Sequence, residues 1–294
     1  MKSVVDKGSI FSFVLRFQKT DADVELAPEI LELYKDVKNV KVLVVEDMAL
    51  NQLLMKTILD DYGFDRDIAD NGLIAIEKIK AKDYDVILMD LQMPEMNGFE
   101  ATDYIRNTLK SSIPIIALTA DVTTVDLAKC KSVGMNDYIA KPVDERVLYS
   151  KIIGLVKKPT LVSLDVEKPI IEKKSKYTNL NYLMLRTKSN PLLMSEMIQA
   201  YLEQTPTLIN SMKKSFQEKN WQMLHAAVHK MLPSFLIMGI NTDFERMAKK
   251  VMEYAQTQEQ TEDINNFVMQ LETVCVQACE ELKEELDVIK NAKT

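Results

Sequence analysis

Between Val40 and Val156 short apolar runs alternate five times with amphipathic stretches, and this alternation restricts the fold more than any other feature of the 294 residues. Val40–Val45 reads as a strand, and Met48–Tyr62 as a helix with Leu50, Leu53, Leu54, Ile58 and Leu59 on one face, closed by Gly63. A weaker strand over Asp65–Ala69 and a helix over Leu73–Lys82 follow. The third run, Val86-Ile87-Leu88-Met89, is too short for a helix and too apolar for a half-exposed strand, so it predicts a strand covered on both faces. After it come a helix from about Gly98, a strand over Ile113–Leu118 and a helix over Val125–Val133 ended by Gly134. A short strand over Asp137–Ala140 and a helix over Asp144–Val156 complete the series. Five strands separated by helical crossovers predict an α/β doubly wound parallel sheet.

In such a sheet the carboxyl ends of the strands converge on one edge, where ligands sit. Those ends carry Glu46 and Asp47 after the first strand, Asp90 after the third, Thr119 after the fourth, and Lys141 with Pro142 after the fifth. Three carboxylates brought together repel unless a cation lies among them, and a few oxygens plus waters suit Mg²⁺. A carboxylate nucleophile beside a divalent ion, a hydroxyl and an ammonium is what phosphoryl transfer requires. Helix caps and a surface lysine would explain any one of these residues, but not five at successive strand ends.

Val42-Leu43-Val44-Val45-Glu46-Asp47, Leu88-Met89-Asp90-Leu91-Gln92-Met93-Pro94 with Gly98, Ala117-Leu118-Thr119-Ala120 and Tyr138-Ile139-Ala140-Lys141-Pro142 resemble a response-regulator receiver domain over residues 38–157. The resemblance implies a flavodoxin-like sheet of order 2-1-3-4-5 and makes Asp90 the phosphoacceptor. It also implies that Mg²⁺ is bound by Glu46, Asp47, Asp90 and the backbone carbonyl of Gln92. Thr119 and Lys141 would hold phosphoryl oxygens, Thr119 and Tyr138 would form the switch pair, and the Lys141-Pro142 bond is expected to be cis.

Residues 158–176, rich in lysine and holding Pro159 and Pro169, read as a tether. Beyond it every pattern is helical, and residues 177–294 predict an all-α four-helix bundle. Asn190 caps a first helix with Pro191 at its first position, and Pro206 is expected to kink it. A second helix runs from Asn220 to about Leu232, a third from Thr242 to about Gln256, and a fourth from about Glu262 to Lys290. Both histidines, His225 and His229, lie on the second helix, whose buried stripe is marked by Trp221, Leu224, Val228, Met231 and Phe235. At ~100° per residue His229 falls about 115° from the centre of that stripe and His225 about 75°, so His229 is expected to meet water. Two histidines one turn apart could instead clasp a metal, but no third ligand is placed as in the zinc helix motif, and a purely structural pair also fits.

Ala227-Val228-His229-Lys230-Met231-Leu232-Pro233 through Gly239 and Ile240 resembles the signature helix of a histidine-containing phosphotransfer (HPt) domain. His229 takes the phosphohistidine position and Gly239 that of the glycine ten residues on. Leu232 stands where the family usually has a lysine that helps hold the phosphoryl group, and Pro233 where it has a glycine. Lys230 or another basic residue could supply the missing cation.

Residues 1–37 offer one strand, Ile10–Phe17 after the Gly8-Ser9 turn, and then an acidic linker. Asp6–Phe13 resembles the last hairpin of a histidine-kinase ATP-binding domain. The two resemblances together imply the C-terminal part of a hybrid sensor histidine kinase, a phosphotransfer module without its own ATP-dependent core. Its partners would be a sensor histidine kinase core, in cis or in trans, and a downstream response-regulator receiver. A receiver with a degenerate bundle that only docks partners is the alternative; an intact kinase is disfavoured, since residues 1–37 hold neither a dimerisation helix nor an ATP-binding domain.

The net charge of −7 argues against a nucleic-acid partner. No apolar run approaches ~18 residues and no signal peptide is visible, so a cytoplasmic chain without membrane contact is expected. Cys130, Cys275 and Cys279 have no metal-type spacing and read as reduced, mostly buried thiols.

Overall fold

The computed structural model describes residues 2–4, 8–10, 40–119, 124–156, 177–259 and 263–291. The predicted tether 158–176 and the Phe11–Phe17 part of the predicted strand lie outside them. The chain divides into two units, Met1–Asp36 and Val37–Thr294. In the first, β1 (Lys2–Val4) pairs antiparallel with β2 (Gly8–Ile10), so Gly8 and Ser9, expected as a turn before a strand, are themselves strand residues.

In the second unit β3 (Lys41–Val45), β4 (Asp65–Ala69), β5 (Val86–Asp90), β6 (Ile115–Thr119) and β7 (Asp137–Ala140) form a parallel sheet ordered β4-β3-β5-β6-β7. Counted along this domain the order is 2-1-3-4-5, as expected. Every residue of β5 and β6 is buried, which explains their unbroken apolar runs: helices cover both faces of the central strands. The crossovers are α1 (Ala49–Asp61), α2 (Gly72–Ala81), α3 (Gly98–Asp103), α4 (Thr124–Ser132) and α5 (Glu145–Val156), with a π-turn over Tyr104–Thr108 prolonging α3. Asparagines set two starts. Asn71 Oδ1 accepts the Ile74 amide, and Asn97 closes a capping box with Glu100.

Gly98 is required by contact, because a Cβ there would lie 2.2 Å from the Asp90 carbonyl oxygen. The loop after β5 can therefore fold back tightly enough for the Gly98 amide to donate to the Leu91 carbonyl, 3.2 Å away. Asp90 is thereby held at the sheet edge.

Beyond residue 176 a short helix, α6 (Asn181–Arg186), precedes four long ones: α7 (Pro191–Gln217), α8 (Trp221–Ile237), α9 (Thr242–Thr257) and α10 (Ile264–Asn291). Asn190, Asn220 and Asn241 cap α7, α8 and α9 through their side chains. Helix α7 packs on α8 and α10, and α9 packs on the same two, which closes a four-helix bundle joined by short connections. One expectation is corrected. Helix α8 does not stop near Leu232 but runs through Pro233 to Ile237, because burial of Met231, Leu232, Phe235 and Ile237 outweighs one lost backbone bond. Helix α7 runs continuously through Pro206, which lies on its exposed face where water can serve the freed carbonyl. Helix α6 had no counterpart in the sequence reading.

The bundle is seated on the sheet domain. Helix α1 packs against α6, α7 and α8. Arg186 pairs with Glu145 and approaches Asp61 at 3.7 Å, and Lys188 Nζ donates to Asp61 Oδ1 at 2.6 Å.

Candidate functional site at the sheet edge

The expected residues meet at the carboxyl edge of the sheet. Lys141 Nζ donates to Glu46 Oε2 at 2.6 Å and to Asp90 Oδ2 at 2.7 Å. Asn51, in the first turn of α1, donates through Nδ2 to Glu46 Oε1 at 2.9 Å, and the Gln92 amide donates to Asp90 Oδ1 at 3.2 Å. Thr119 ends β6, buried, and the Lys141 amide donates to its carbonyl at 2.6 Å. The Lys141-Pro142 bond is cis, as expected. Tyr138 is half-buried against the sheet core, with Lys151 Nζ 5.2 Å from its ring centroid.

Burial raises the Glu46 carboxyl to about 7, with the Asp90 charge adding to the rise and Lys141 and Asn51 opposing it. Burial would lower Lys141, but Asp90 and Glu46 together hold it well above the ordinary lysine range, so the ammonium stays charged. Burial also raises Asp47, against Lys230.

Glu46, Asp47 and Asp90 each offer an oxygen within 4.8 Å of the others, which makes them the candidate ligands of a divalent ion. Asp47 Oδ1 is buried without a hydrogen-bond partner, an orphaned acceptor of the kind a hard cation satisfies. Among the described residues neither histidine belongs to such a group.

His229 is where the structure departs most from the helical-wheel expectation. It is 4% exposed, while His225, expected to be the more buried of the two, is half-buried with Gln256 Nε2 2.9 Å from its Nε2. The wheel counts only the bundle's own core, and the sheet domain covers this face of α8. Burial lowers the His229 imidazole to about 4, helped by the Lys141 charge and opposed by Asp90. Burial thus favours the neutral imidazole, beside the charges of Lys141 and Asp90. Pro233, one turn on, shares a cleft with Glu46, Asn51, Leu118 and Lys141. Lys230 pairs with Asp47 across the same boundary.

Lys230 was legible as a spare cation beside His229. Asn51 and Arg186 were not: each is an ordinary helix residue until tertiary packing brings it to a carboxylate.

A doubly wound parallel domain with three carboxylates and a buried lysine at its carboxyl edge is flavodoxin-like in fold. Residues 42–153 match the family model of the response regulator receiver domain, and this segment is such a domain. Over 115 residues the chain is 45% identical to hybrid signal transduction histidine kinase B of Dictyostelium discoideum, covering 35% of this chain and 6% of that protein. Over 156 residues it is 34% identical to the autoinducer 2 sensor kinase/phosphatase LuxQ of Vibrio vulnificus (strain YJ016), covering 52% of this chain and 18% of that protein. The chain thus spans less than a fifth of the length of these relatives. A similar solved structure is that of the Saccharomyces cerevisiae histidine phosphotransfer signaling protein Ypd1 with the receiver domain of Ssk1, at 32% identity, TM-score 0.40, and coverage of 44% of this chain and 96% of that one. No helix among the described residues is long and apolar enough to cross a membrane.

Proposed function

We propose that the chain is a two-component phosphorelay module in which Asp90 accepts a phosphoryl group from a phosphohistidine and His229 exchanges that group with a receiver aspartate, including its own Asp90. The observation that carries this reading is the burial of His229 beside the Asp90 pocket, whose cleft Pro233, one turn on, lines with Glu46 and Lys141; that burial favours the neutral imidazole. Only a neutral ring nitrogen has the lone pair to attack phosphorus. In one direction it attacks the Asp90 acyl phosphate: a P–N bond forms, the P–O bond to Asp90 breaks, and its electron pair returns to the carboxylate. In the other the Asp90 carboxylate takes the group back.

Lys141, already bonded to Asp90, and Thr119, at the adjacent strand end, would hold the phosphoryl oxygens. Glu46, Asp47, Asp90 and the Gln92 carbonyl would hold Mg²⁺, which supplies charge neutralisation at those oxygens. A phosphoryl group on Asp90 would draw Thr119 inward and let Tyr138 follow. A sensor kinase phosphohistidine upstream and a separate receiver downstream complete the relay.

A second reading, a bundle that docks without transferring, draws support from Leu232, apolar and buried at the usual lysine position, and from Pro233 at the cleft. Acetyl phosphate with Mg²⁺ separates the two. Base-labile label on Asp90 together with acid-labile label on His229 is expected. Asp90→Asn should abolish both, whereas His229→Gln should leave the Asp90 label. Label confined to Asp90 in the unaltered chain would overturn transfer within the chain and favour the docking reading.

A further inference from the structure

Lys230 carries its ammonium from the bundle into the acidic pocket of the receiver domain, where it pairs with Asp47 Oδ2. The Asp47 side chain is 8% exposed, and its other oxygen is buried without a hydrogen-bond partner. Lys141 is already committed to Glu46 and Asp90. Three carboxylates therefore face two ammoniums, one from the receiver domain itself and one that arrives only with the bundle. A divalent ion needs the same Asp47 carboxylate at close range, about 2.0–2.1 Å for Mg²⁺. In a site this buried, an ammonium and a dication on one carboxylate repel strongly.

We infer that Lys230 is a built-in cationic competitor of the divalent ion at Asp47, so that metal binding and docking of the bundle oppose each other. The inference rests on the reading of Glu46, Asp47 and Asp90 as a divalent-cation site. Because binding free energies are reciprocal, whatever factor the docked bundle takes from metal affinity, the metal takes from docking. Lys230 lies on the solvated rim of the pocket, with a quarter of its side chain exposed, so it can leave without unpacking the bundle core.

The experiment measures Mg²⁺ affinity calorimetrically on the full chain, on Lys230→Gln and on Lys230→Arg. Lys230→Gln should bind Mg²⁺ about fivefold to a hundredfold more tightly, the range of ordinary site-to-site coupling. Lys230→Arg keeps the charge and should stay near the unaltered chain. Asp47→Asn should remove the heat, which ties the signal to this pocket. In parallel, acylation of His229 by diethyl pyrocarbonate, read by mass spectrometry against His225, should rise when Mg²⁺ is added to the unaltered chain. Equal affinity in the unaltered chain and Lys230→Gln, or His229 acylation indifferent to Mg²⁺, would overturn the competition and leave the metal site standing. Absence of Mg²⁺ heat in all the proteins would overturn the metal site itself.

Discussion

Gly63 and Gly239 both sit at positive φ, +68° and +64°, yet only one of them is crowded. A Cβ on Gly63 would meet nothing within 4 Å, whereas one on Gly239 would lie 2.0 Å from the Asn179 carbonyl oxygen. Gly63→Ala should therefore cost only the left-handed backbone penalty, about 1–2 kcal/mol. Gly239→Ala should cost that and a further overpacking penalty of about 1–3 kcal/mol, since the obstacle is backbone. Urea unfolding checks the order: equal midpoints for the two variants would refute the close approach. The sequence pointed to Gly239 only through its spacing from His229, and the reason for a glycine there, a crossing of the chain at Asn179, is tertiary. Asp90, Glu46, Asp47, Thr119 and Lys141 were legible for the opposite reason. Each ends a strand or lies just past one, and strand ends in a parallel sheet converge whatever the side chains do.

At the scale of elements, the bundle's long helices follow their apolar spacing, and α10 shows what that spacing can decide. Ile264, Val268, Leu271, Val274, Ala278 and Leu282 are buried as their register demands, and Cys275 and Cys279 are buried with them. Burial pushes the Cys275 thiol to about 12, with the neighbouring Cys279 adding to the rise, and Cys279 to about 11. Both lie above the ordinary thiol value of 9, so the folded chain holds protons that the unfolded chain releases first. Stability from these thiols is complete below about pH 9 and falls as pH rises toward 11 to 12. Urea midpoints at about pH 8 and about pH 10 should differ less in a Cys275→Ala, Cys279→Ala variant than in the unaltered chain; identical pH dependence would refute the assignment. Where spacing failed, at the end of α8, Pro233 looked like a stop. Propensity is local, and a helix already held by packing on both sides absorbs one missing amide.

At the scale of the whole molecule, the decisive unforeseen feature is that the receiver domain covers His229. A helical wheel registers only the stripe a helix turns toward its own bundle, so a second buried face made by another domain is invisible to it. Charged contacts at the rim help to hold this second face. Arg186, on α6, has a 7% exposed side chain and pairs with Glu145 on α5 while facing Asp61 at the end of α1. Glu145 is 39% exposed, so solvent screens the pair and its contribution to docking is about 1 kcal/mol. Arg186→Ala should then raise the undocked fraction roughly fivefold, seen as faster acylation of His229 relative to His225. Arg186→Glu should raise it further through repulsion from Glu145 and Asp61, and Glu145→Arg in the same chain should recover part of the loss by restoring one pair. The restored pair must also weaken with added salt, because a partly exposed pair is screened. If His229 acylation is unchanged by Arg186→Glu, the Arg186 clamp does not hold the domains together, and docking rests on the packing of α1 and on the Lys188–Asp61 and Lys230–Asp47 pairs.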